Sequence, residues 1–276
     1  MRWFFSEKQA LGAITIGIVA VFGFGIWRTE SDKDFVEQTP IWIEETGSME
    51  ESSSDEWWVN SGAYITKTEH GFATAQGELP LFSLWRPRYF LANPRDTDNG
   101  AYPQNIFRLV NKNRWENGEQ TVYVRIQKLN ISESPERDAW SGIFLFQRYE
   151  DGDNVYYAGL RQDGAAIIKK KINGVYYTMA YARLFGRDTS FHRDTNPNLI
   201  PGATWIGLRT ETTTREDGSI VIRLFMDKEQ KGNWELVAEA IDDGARYGGA
   251  ALAKEGYGGI RSDFMDMEFR DYELKK

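Results

Sequence analysis

Short runs of alternating apolar and polar residues, separated by turn residues, dominate the chain from residue 140 to residue 183. Three breaks, at residues 151–154, 163–164 and 173–174, separate segments that are rich in Ile, Val, Phe and Tyr. Asp-Gly and Asn-Gly are favoured in tight hairpins because glycine adopts the positive φ of a primed turn. The pattern predicts an antiparallel meander of strands, whose exposed face could form a binding groove.

Strand-like runs continue over most of residues 57–276, and convincing helical periodicity is missing. Turn residues recur roughly every 8–12 positions, which is typical of an all-β sandwich or barrel. About 220 residues is a usual size for one such domain. No internal repeat of fixed length supports a propeller or a solenoid. The predicted strands cover residues 62–67, 72–76, 89–91, 121–129, 141–149, 154–161, 165–172, 175–183, 204–211, 219–227, 234–240, 256–263 and 264–274.

Alternation also assigns side chains to the faces of a sheet, since successive residues of a strand point to opposite sides. Val122 and Val124 form one apolar side of their strand, and Arg125 and Gln127 point the other way. If such strands are neighbours, one face collects aromatic, amide and cationic groups that stack on sugar rings and pair with hydroxyls and carboxylates. The alternative is an ordinary half-exposed sheet surface. The predicted carbohydrate-binding residues are Arg125, Gln127, Arg148, Tyr157, Arg161, Lys169, Trp205 and Arg209.

An uncharged apolar segment at residues 10–27 precedes this predicted domain. Its 18 residues are close to the shortest helix that crosses a bilayer, and Trp3 and Trp27 suit the two interfaces. Basic residues before the segment favour a cytoplasmic N-terminal stretch, residues 1–9, and an extracytoplasmic C-terminal domain. We therefore expect a single-pass protein of the cell membrane. A cleaved signal peptide is the alternative, but no suitable cleavage site follows the segment.

The net charge of −8 arises from one part of the chain. Residues 34–65 contain eight carboxylates and no Lys or Arg, so the remainder is close to neutral. This composition predicts that residues 28–56 are an acidic, disordered linker that holds a domain at residues 57–276 away from the membrane. No basic stripe is present, which argues against nucleic acid as a partner.

The order of these segments resembles the concanavalin A-like lectin/glucanase superfamily, a jelly-roll group that includes laminin G-like modules, glycosidases and polysaccharide lyases. The resemblance rests on a first strand at residues 58–65, central strands at residues 142–148 and 154–164, and closing strands at residues 257–263 and 267–272. It covers nearly all of residues 57–276. It implies a two-sheet antiparallel jelly-roll sandwich with a concave, carbohydrate-binding sheet and, in many members, a structural calcium ion.

The resemblance is compatible with binding and with catalysis. Glucanases of this fold have paired carboxylates on an E-x-D-x-x-E or E-x-D-x-E strand, and this sequence contains no such strand. Lyases of this fold combine a Tyr or His base with groups that neutralise a uronate, and the candidates here are Tyr157, His192 and Arg148. We expect a membrane-anchored, lectin-like domain that binds a polysaccharide. A polysaccharide lyase or glycosidase is the alternative, and a non-catalytic, protein-binding laminin G-like module is the second.

Few residues are suited to binding a metal ion. The chain has no cysteine and two histidines, His70 and His192, which excludes thiolate sites and argues against a multi-histidine zinc site. Calcium prefers carboxylate and carbonyl oxygens. Asp151 and Asp153, in one predicted turn, and Asp271, by the resemblance, are therefore the candidate ligands of a structural calcium ion. No other cofactor is implied.

Overall fold

The computed structural model describes residues 41–276, which form two stacked β-sheets. All pairs of named strands are antiparallel. The predicted all-β, two-sheet antiparallel sandwich is therefore confirmed. The predicted membrane segment at residues 10–27 lies outside the described residues. Within residues 41–276, no helix is long and apolar enough to cross a membrane.

The chain crosses between the two sheets several times. Its strands are β1 (Ile41–Glu44), β2 (Trp57–Ser61), β3 (Tyr64–Lys67), β4 (Phe72–Thr74), β5 (Ile106–Trp115), β6 (Gly118–Leu129), β7 (Gly142–Tyr149), β8 (Val155–Arg161), β9 (Ala165–Ile172), β10 (Val175–Arg183), β11 (Ile206–Thr214), β12 (Ile220–Asp227), β13 (Glu235–Asp242), β14 (Gly256–Asp263) and β15 (Met265–Lys275). Strands β7–β10 and β11–β13 are consecutive runs, each of which stays within one sheet. One helix, α1 (Trp85–Ala92), and a 3₁₀ helix, Pro103–Asn105, lie between β4 and β5.

The eight-stranded sheet has the order β1-β3-β4-β15-β6-β11-β12-β13, and the seven-stranded sheet has the order β10-β9-β8-β7-β14-β5-β2. Strands β7 to β10 lie side by side in sequence order, which confirms the predicted meander. The turn between β9 and β10 has Asn173 at φ 50° and Gly174 at φ 81°. Positive φ at both positions is the requirement of a type I′ turn, and Asn-Gly meets it with little strain.

The main core lies between the sheets, and alternation places side chains in it as predicted. Val122 and Val124 of β6 are buried there. Strand β7 is buried on both faces, because Ile143 and Leu145 join the main core while Phe144 points to the outer face. The outer face of the seven-stranded sheet thus has its own buried apolar cluster, formed by Val110, Phe144, Phe146, Tyr149, Val155, Tyr157 and Ile167.

The predicted disordered linker is wrong for residues 41–56, which belong to the sandwich. Strand β1 pairs with β3, and Ile43 is buried in the main core. Met49 packs on the outer cluster, and the indole N–H of Trp58 donates to the carbonyl of Thr46 at 3.2 Å. Average composition concealed these apolar anchors, since the acidic residues between them are mostly solvent-facing.

The structure also corrects the secondary structure between β4 and β6. The predicted strand at residues 89–91 is part of α1, where Trp85 and Tyr89 are buried four residues apart on one side of the helix. Three apolar residues are too few to distinguish a helix from a strand by periodicity. Strand β5, which pairs with both β14 and β2, was not among the predicted strands.

Candidate functional site

A cavity of about 680 Å³ opens on the outer face of the seven-stranded sheet. Its lining comes from strands β7 to β10 and β14, from the start of β5 and the 3₁₀ helix before it, from the loops at residues 93–96 and 136–141, and from residue 264 between β14 and β15. The strand residues in the lining are Ile106, Phe144, Tyr157, Arg161, Lys169, Tyr176, Thr178, Arg261 and Asp263, and the other residues are Asn93, Arg95, Asp96, Asn105, Glu136, Trp140, Ser141 and Phe264.

Aromatic side chains provide much of the apolar lining of this cavity. The ring of Tyr157 lies 6.2 Å, between ring centroids, from both Phe144 and Tyr176. Trp140, in the loop before β7, is 48% exposed. The buried hydroxyl of Tyr157 has no hydrogen-bond partner among the described residues. Since an unsatisfied buried hydroxyl is costly, this group is suited to a bond with a bound ligand or with water.

Cationic groups line the same cavity, and two of them are paired with carboxylates. Arg261 donates from Nε to Asp263 at 2.8 Å, and its guanidinium lies 5.3 Å from the ring centroid of Tyr157. Arg161 donates to Asp163 at 2.7 Å. These two ion pairs hold planar donors and acceptors in fixed positions along the sheet.

Lys169 differs from the two arginines, because no carboxylate of residues 41–276 lies within ion-pair distance of its ammonium. That ammonium lies 5.0 Å from the ring centroid of Phe144. Burial lowers the pKa of Lys169 to about 8, and the positive charges of Arg261 and Arg161 act in the same direction. Asp263 opposes the shift without reversing it. A ligand carboxylate would supply the negative charge that this lysine lacks.

The predicted carbohydrate-binding residues are divided between the two sheets. Tyr157, Arg161 and Lys169 line the cavity of the seven-stranded sheet. The other members, apart from the buried Arg148, lie on the outer side of the eight-stranded sheet, because they belong to β6 and β11 or, for the buried Trp205, directly precede β11. The single face assumed from the sequence is therefore wrong. The members on the second face are Arg125, Gln127, Trp205 and Arg209.

On the second face, the cations are engaged within the protein. The guanidinium of Arg125 lies 4.6 Å from the ring centroid of Trp205 and donates from Nε to Glu268 at 2.8 Å. Gln127 donates to the same carboxylate. Arg209 lies 4.4 Å from the ring centroid of Phe225. These contacts link β6, β11, β12 and β15 across the outer surface of the sheet.

Arg148 is a structural residue, which corrects its assignment to a sugar-binding or catalytic set. It is fully buried at the end of β7. Its guanidinium donates to the carbonyls of Glu116 at 3.0 Å, Leu252 at 2.9 Å and Ala253 at 2.7 Å, and to the hydroxyl of Thr214 at 2.7 Å. Alternation along β7 could not show this, since it assigns a side but not the neighbours on that side.

Replacing Arg148 with lysine is expected to lower the free energy of unfolding by about 2 kcal/mol, because an ammonium cannot bond all four acceptors and leaves buried carbonyls unpaired. Urea denaturation followed by tryptophan emission would measure the change. Arg187→Lys, at an exposed loop position, is the control and should leave stability nearly unchanged. Equal stability of both variants would contradict a structural role for the Arg148 guanidinium.

The predicted catalytic residues are not assembled in one site. His192 is exposed in the loop after β10, and its Nδ1 accepts hydrogen bonds from the backbone N–H groups of Asp194 and Thr195, both at 3.3 Å. It is not part of the cavity lining, whereas Tyr157 is. With Arg148 buried elsewhere, the structure does not bring the predicted base and neutralising groups together.

The carboxylates predicted to bind calcium do not fit an ion. Asp151 accepts hydrogen bonds from the backbone N–H groups of Asp153 and Asn154, at 2.7 and 2.9 Å, as a turn residue does. Asp153 pairs with Lys171 at 3.1 Å. Asp271 lies on β15 of the other sheet. Among residues 41–276, no three His, Cys, Asp or Glu residues form a group that could hold a metal ion.

Several cavity residues were not predicted from the sequence. Arg261 and Asp263 stand two positions apart in β14, so they share a face, and this spacing was the available sequence signal. Trp140 immediately precedes the first strand of the meander, and Tyr176 lies in its last strand. Their convergence depends on the order of strands in the sheet, which these local patterns do not contain.

No protein-family model matches the sequence, and no curated protein matches it. Among solved structures, the carbohydrate-binding module CBM66 of Bacillus subtilis superposes with a TM-score of 0.50 at 13% identity, over 80% of this chain and 96% of the module. The exoplasmic/lumenal domain of VIP36, in its Ca²⁺-bound form, gives 0.45 at 8% identity, over 81% and 84%. The carbohydrate recognition domain of Emp46p, in a metal-free form, gives 0.41 at 10% identity, over 86% and 94%. The chain thus shares its β-sandwich fold with a carbohydrate-binding module.

Proposed function

We propose that the cavity on the seven-stranded sheet binds a carbohydrate. The observation that supports this function best is the combination, in one cavity, of an exposed tryptophan ring, the unpaired hydroxyl of Tyr157 and fixed ionic groups. The shared fold with a carbohydrate-binding module is consistent with it. The predicted anchor at residues 10–27 completes the proposal, since it would hold the domain on the outer side of the cell membrane.

The chemistry of the cavity suits a sugar unit. Aromatic rings stack on the apolar C–H faces of a pyranose or furanose, which is the contact that Trp140 can offer. Carboxylates and guanidinium groups form directional hydrogen bonds with hydroxyls, and Asp263 and Arg261 already lie in the lining. A volume of about 680 Å³ is within the range of small-ligand sites, so the cavity suits one or a few sugar units of a longer chain.

The charges favour a sugar with an acidic group. Arg161 and Arg261 each have a carboxylate partner, and Lys169 has none within ion-pair distance among the residues that the structure describes. A uronate or another anionic sugar would place its charge beside Lys169. A charge-assisted hydrogen bond in a partly desolvated site is worth more than its neutral equivalent.

The experiment that tests this proposal compares neutral with acidic glycans on the purified protein, reading both tryptophan quenching and the release of new chain ends. Saturable binding without cleavage, stronger for acidic glycans, is the expected result. Equal binding of neutral glycans would contradict the acidic preference alone. Release of chain ends would show that the protein cleaves the glycan and is not only a binding domain. The absence of any binding would overturn the proposal.

Replacing Trp140 with alanine is expected to weaken glycan binding about tenfold, because one stacked ring contributes roughly 1–1.5 kcal/mol. The side chain is half exposed, so the stability of the fold should change little. Leu236→Ala, at an exposed position on β13 of the other sheet, is the matched control and should bind as the unmodified protein does. Titration calorimetry would measure both affinities, and unchanged binding by Trp140→Ala would exclude this ring from the site.

A further inference from the structure

The most exposed apolar side chains of residues 41–276 lie together before and within α1. Leu81, Phe82, Leu84 and Leu91 are each more than three-quarters exposed, and no other large apolar side chain in this range is more than 57% exposed. Phe90 lies beside Leu91 and is also exposed. We call these five residues the α1 apolar patch. Clustered exposure of this kind marks an interaction surface, whereas single exposed apolar residues do not.

Buried residues of the same segment anchor the α1 apolar patch to the domain. Trp85 and Tyr89 are buried with Leu79 in a small core of their own. The hydroxyl of Tyr89 accepts a hydrogen bond from the backbone N–H of Gly62 at 2.7 Å and donates to the carboxylate of Glu45. The outward direction of Phe82 and its neighbours is therefore set by packing on the opposite side of the same segment.

The segment of the patch itself contains only positive charges, although Glu78 and Asp96 flank it and the chain as a whole is acidic. Residues 79–95 include Arg86, Arg88 and Arg95 and no Asp or Glu, in a chain of net charge −8. Arg86 pairs with Glu78. Arg88 and Arg95 are exposed and, within the described part of the chain, form no ion pair. Protruding apolar side chains bordered by arginines match a bilayer with anionic headgroups, because the rings enter the acyl boundary and the cations pair with phosphate.

We propose that the α1 apolar patch inserts into the surface of an anionic lipid bilayer. The side chains protrude instead of lining a groove, which suits a deformable lipid surface better than the preformed surface of a protein. The chain also permits the contact. The 13 residues from 28 to 40 reach about 45 Å when extended, so a span at residues 10–27 would hold the patch within reach of the bilayer. Asn93 and Arg95 of the cavity follow α1 directly, so this contact would fix the distance between cavity and membrane.

The absence of cysteine allows a direct test on the full chain. Phe82→Cys, labelled with an environment-sensitive fluorophore, is reconstituted into vesicles of phosphatidylcholine with or without phosphatidylglycerol. The matched control is Lys231→Cys, at an exposed turn between β12 and β13. We expect the label at position 82 to shift to shorter wavelength and to be quenched several-fold by brominated lipid in anionic vesicles, and the label at position 231 to remain in water.

A charge variant separates the lipid from other occupants of the patch. Arg88→Gln should reduce quenching at position 82 in anionic vesicles at low salt, and Arg187→Gln should not. If both labels emit at the wavelength of the water-exposed fluorophore in both kinds of vesicle, the proposal is overturned. A shielded label that brominated lipid does not quench would assign the patch to another part of the chain. Shielding that increases with the number of chains per vesicle would assign it to a second copy. Glycan binding is not measured here, so the outcome is independent of the proposed function.

Discussion

Replacing Asp242 with asparagine is expected to lower the free energy of unfolding by about 3–5 kcal/mol, because it leaves a buried ammonium without a counter-charge. Asp242 of β13 and Lys170 of β9 are fully buried, and their Oδ2 and Nζ atoms are 2.8 Å apart. The hydroxyl of Tyr156 donates to the same Oδ2 at 2.5 Å, and Lys170 also donates to the carbonyls of Gly249 and Ala250. This network joins strands of opposite sheets.

Urea denaturation followed by tryptophan emission would measure the loss. Glu229→Gln is the control, since Glu229 and Lys231 form an ion pair that is mostly exposed to solvent, and its removal should cost less than about 0.5 kcal/mol. The double variant Lys170→Met/Asp242→Leu should recover most of the loss, because a well-packed apolar pair can replace a buried ion pair. A loss below about 1 kcal/mol for Asp242→Asn would show that the interior tolerates an unpaired Lys170.

Binding of an acidic glycan is expected to weaken as the pH rises through about 8, because Lys169 then loses its charge. Burial lowers the pKa of Lys169 to about 8 in the free protein. Below that value the ammonium is present, and above it the neutral amine cannot pair with a carboxylate. Between about pH 7 and about pH 9.5, the charged fraction falls about 30-fold, which sets the size of the expected loss of affinity. Titration calorimetry at a series of pH values would measure it.

Two variants test whether Lys169 is the group that titrates. Lys169→Met should bind an acidic glycan about 10–100-fold more weakly near pH 7 and with little dependence on pH, since the charged hydrogen bond is lost. Lys169→Arg should remove the pH dependence as well, because a guanidinium keeps its proton. Lys128→Met, at an exposed position on β6, is the charge-matched control. A decline with pH that persists in Lys169→Arg would assign the titration to another group.

Local patterns predicted the meander and the faces of individual strands. The Asn173-Gly174 turn and the alternation in β6 depend on neighbouring residues only, so the sequence determined them. The helical state of residues 89–91 was not recognisable, because three apolar residues have no readable period. Residues 41–56 were predicted to be disordered because their composition is acidic. Ile43 and Met49 nevertheless anchor this segment to the two apolar clusters of the sandwich.

The candidate site was predicted only in part, for a related reason. Period-two alternation placed Tyr157, Arg161 and Lys169 on an outer face, and all three line the cavity. The same rule selected Arg125, which lies on the other sheet, and Arg148, which is buried. Alternation distinguishes two sides of one strand, but it does not state which strand lies next to which.

The sequence alone determined what short-range physics controls: the hairpins, the direction in which each side chain leaves its strand, and an all-β sandwich or barrel as the way to bury so many apolar strand faces. Lys169, Lys170 and Lys171 are consecutive in the sequence, and only the tertiary structure determined the role of each. Lys169 lines the cavity, while Lys170, on the opposite side of the same strand, enters the interior to meet Asp242. That partner lies 72 positions further along the chain. No local pattern encodes such a contact, because it exists only once the two sheets have packed.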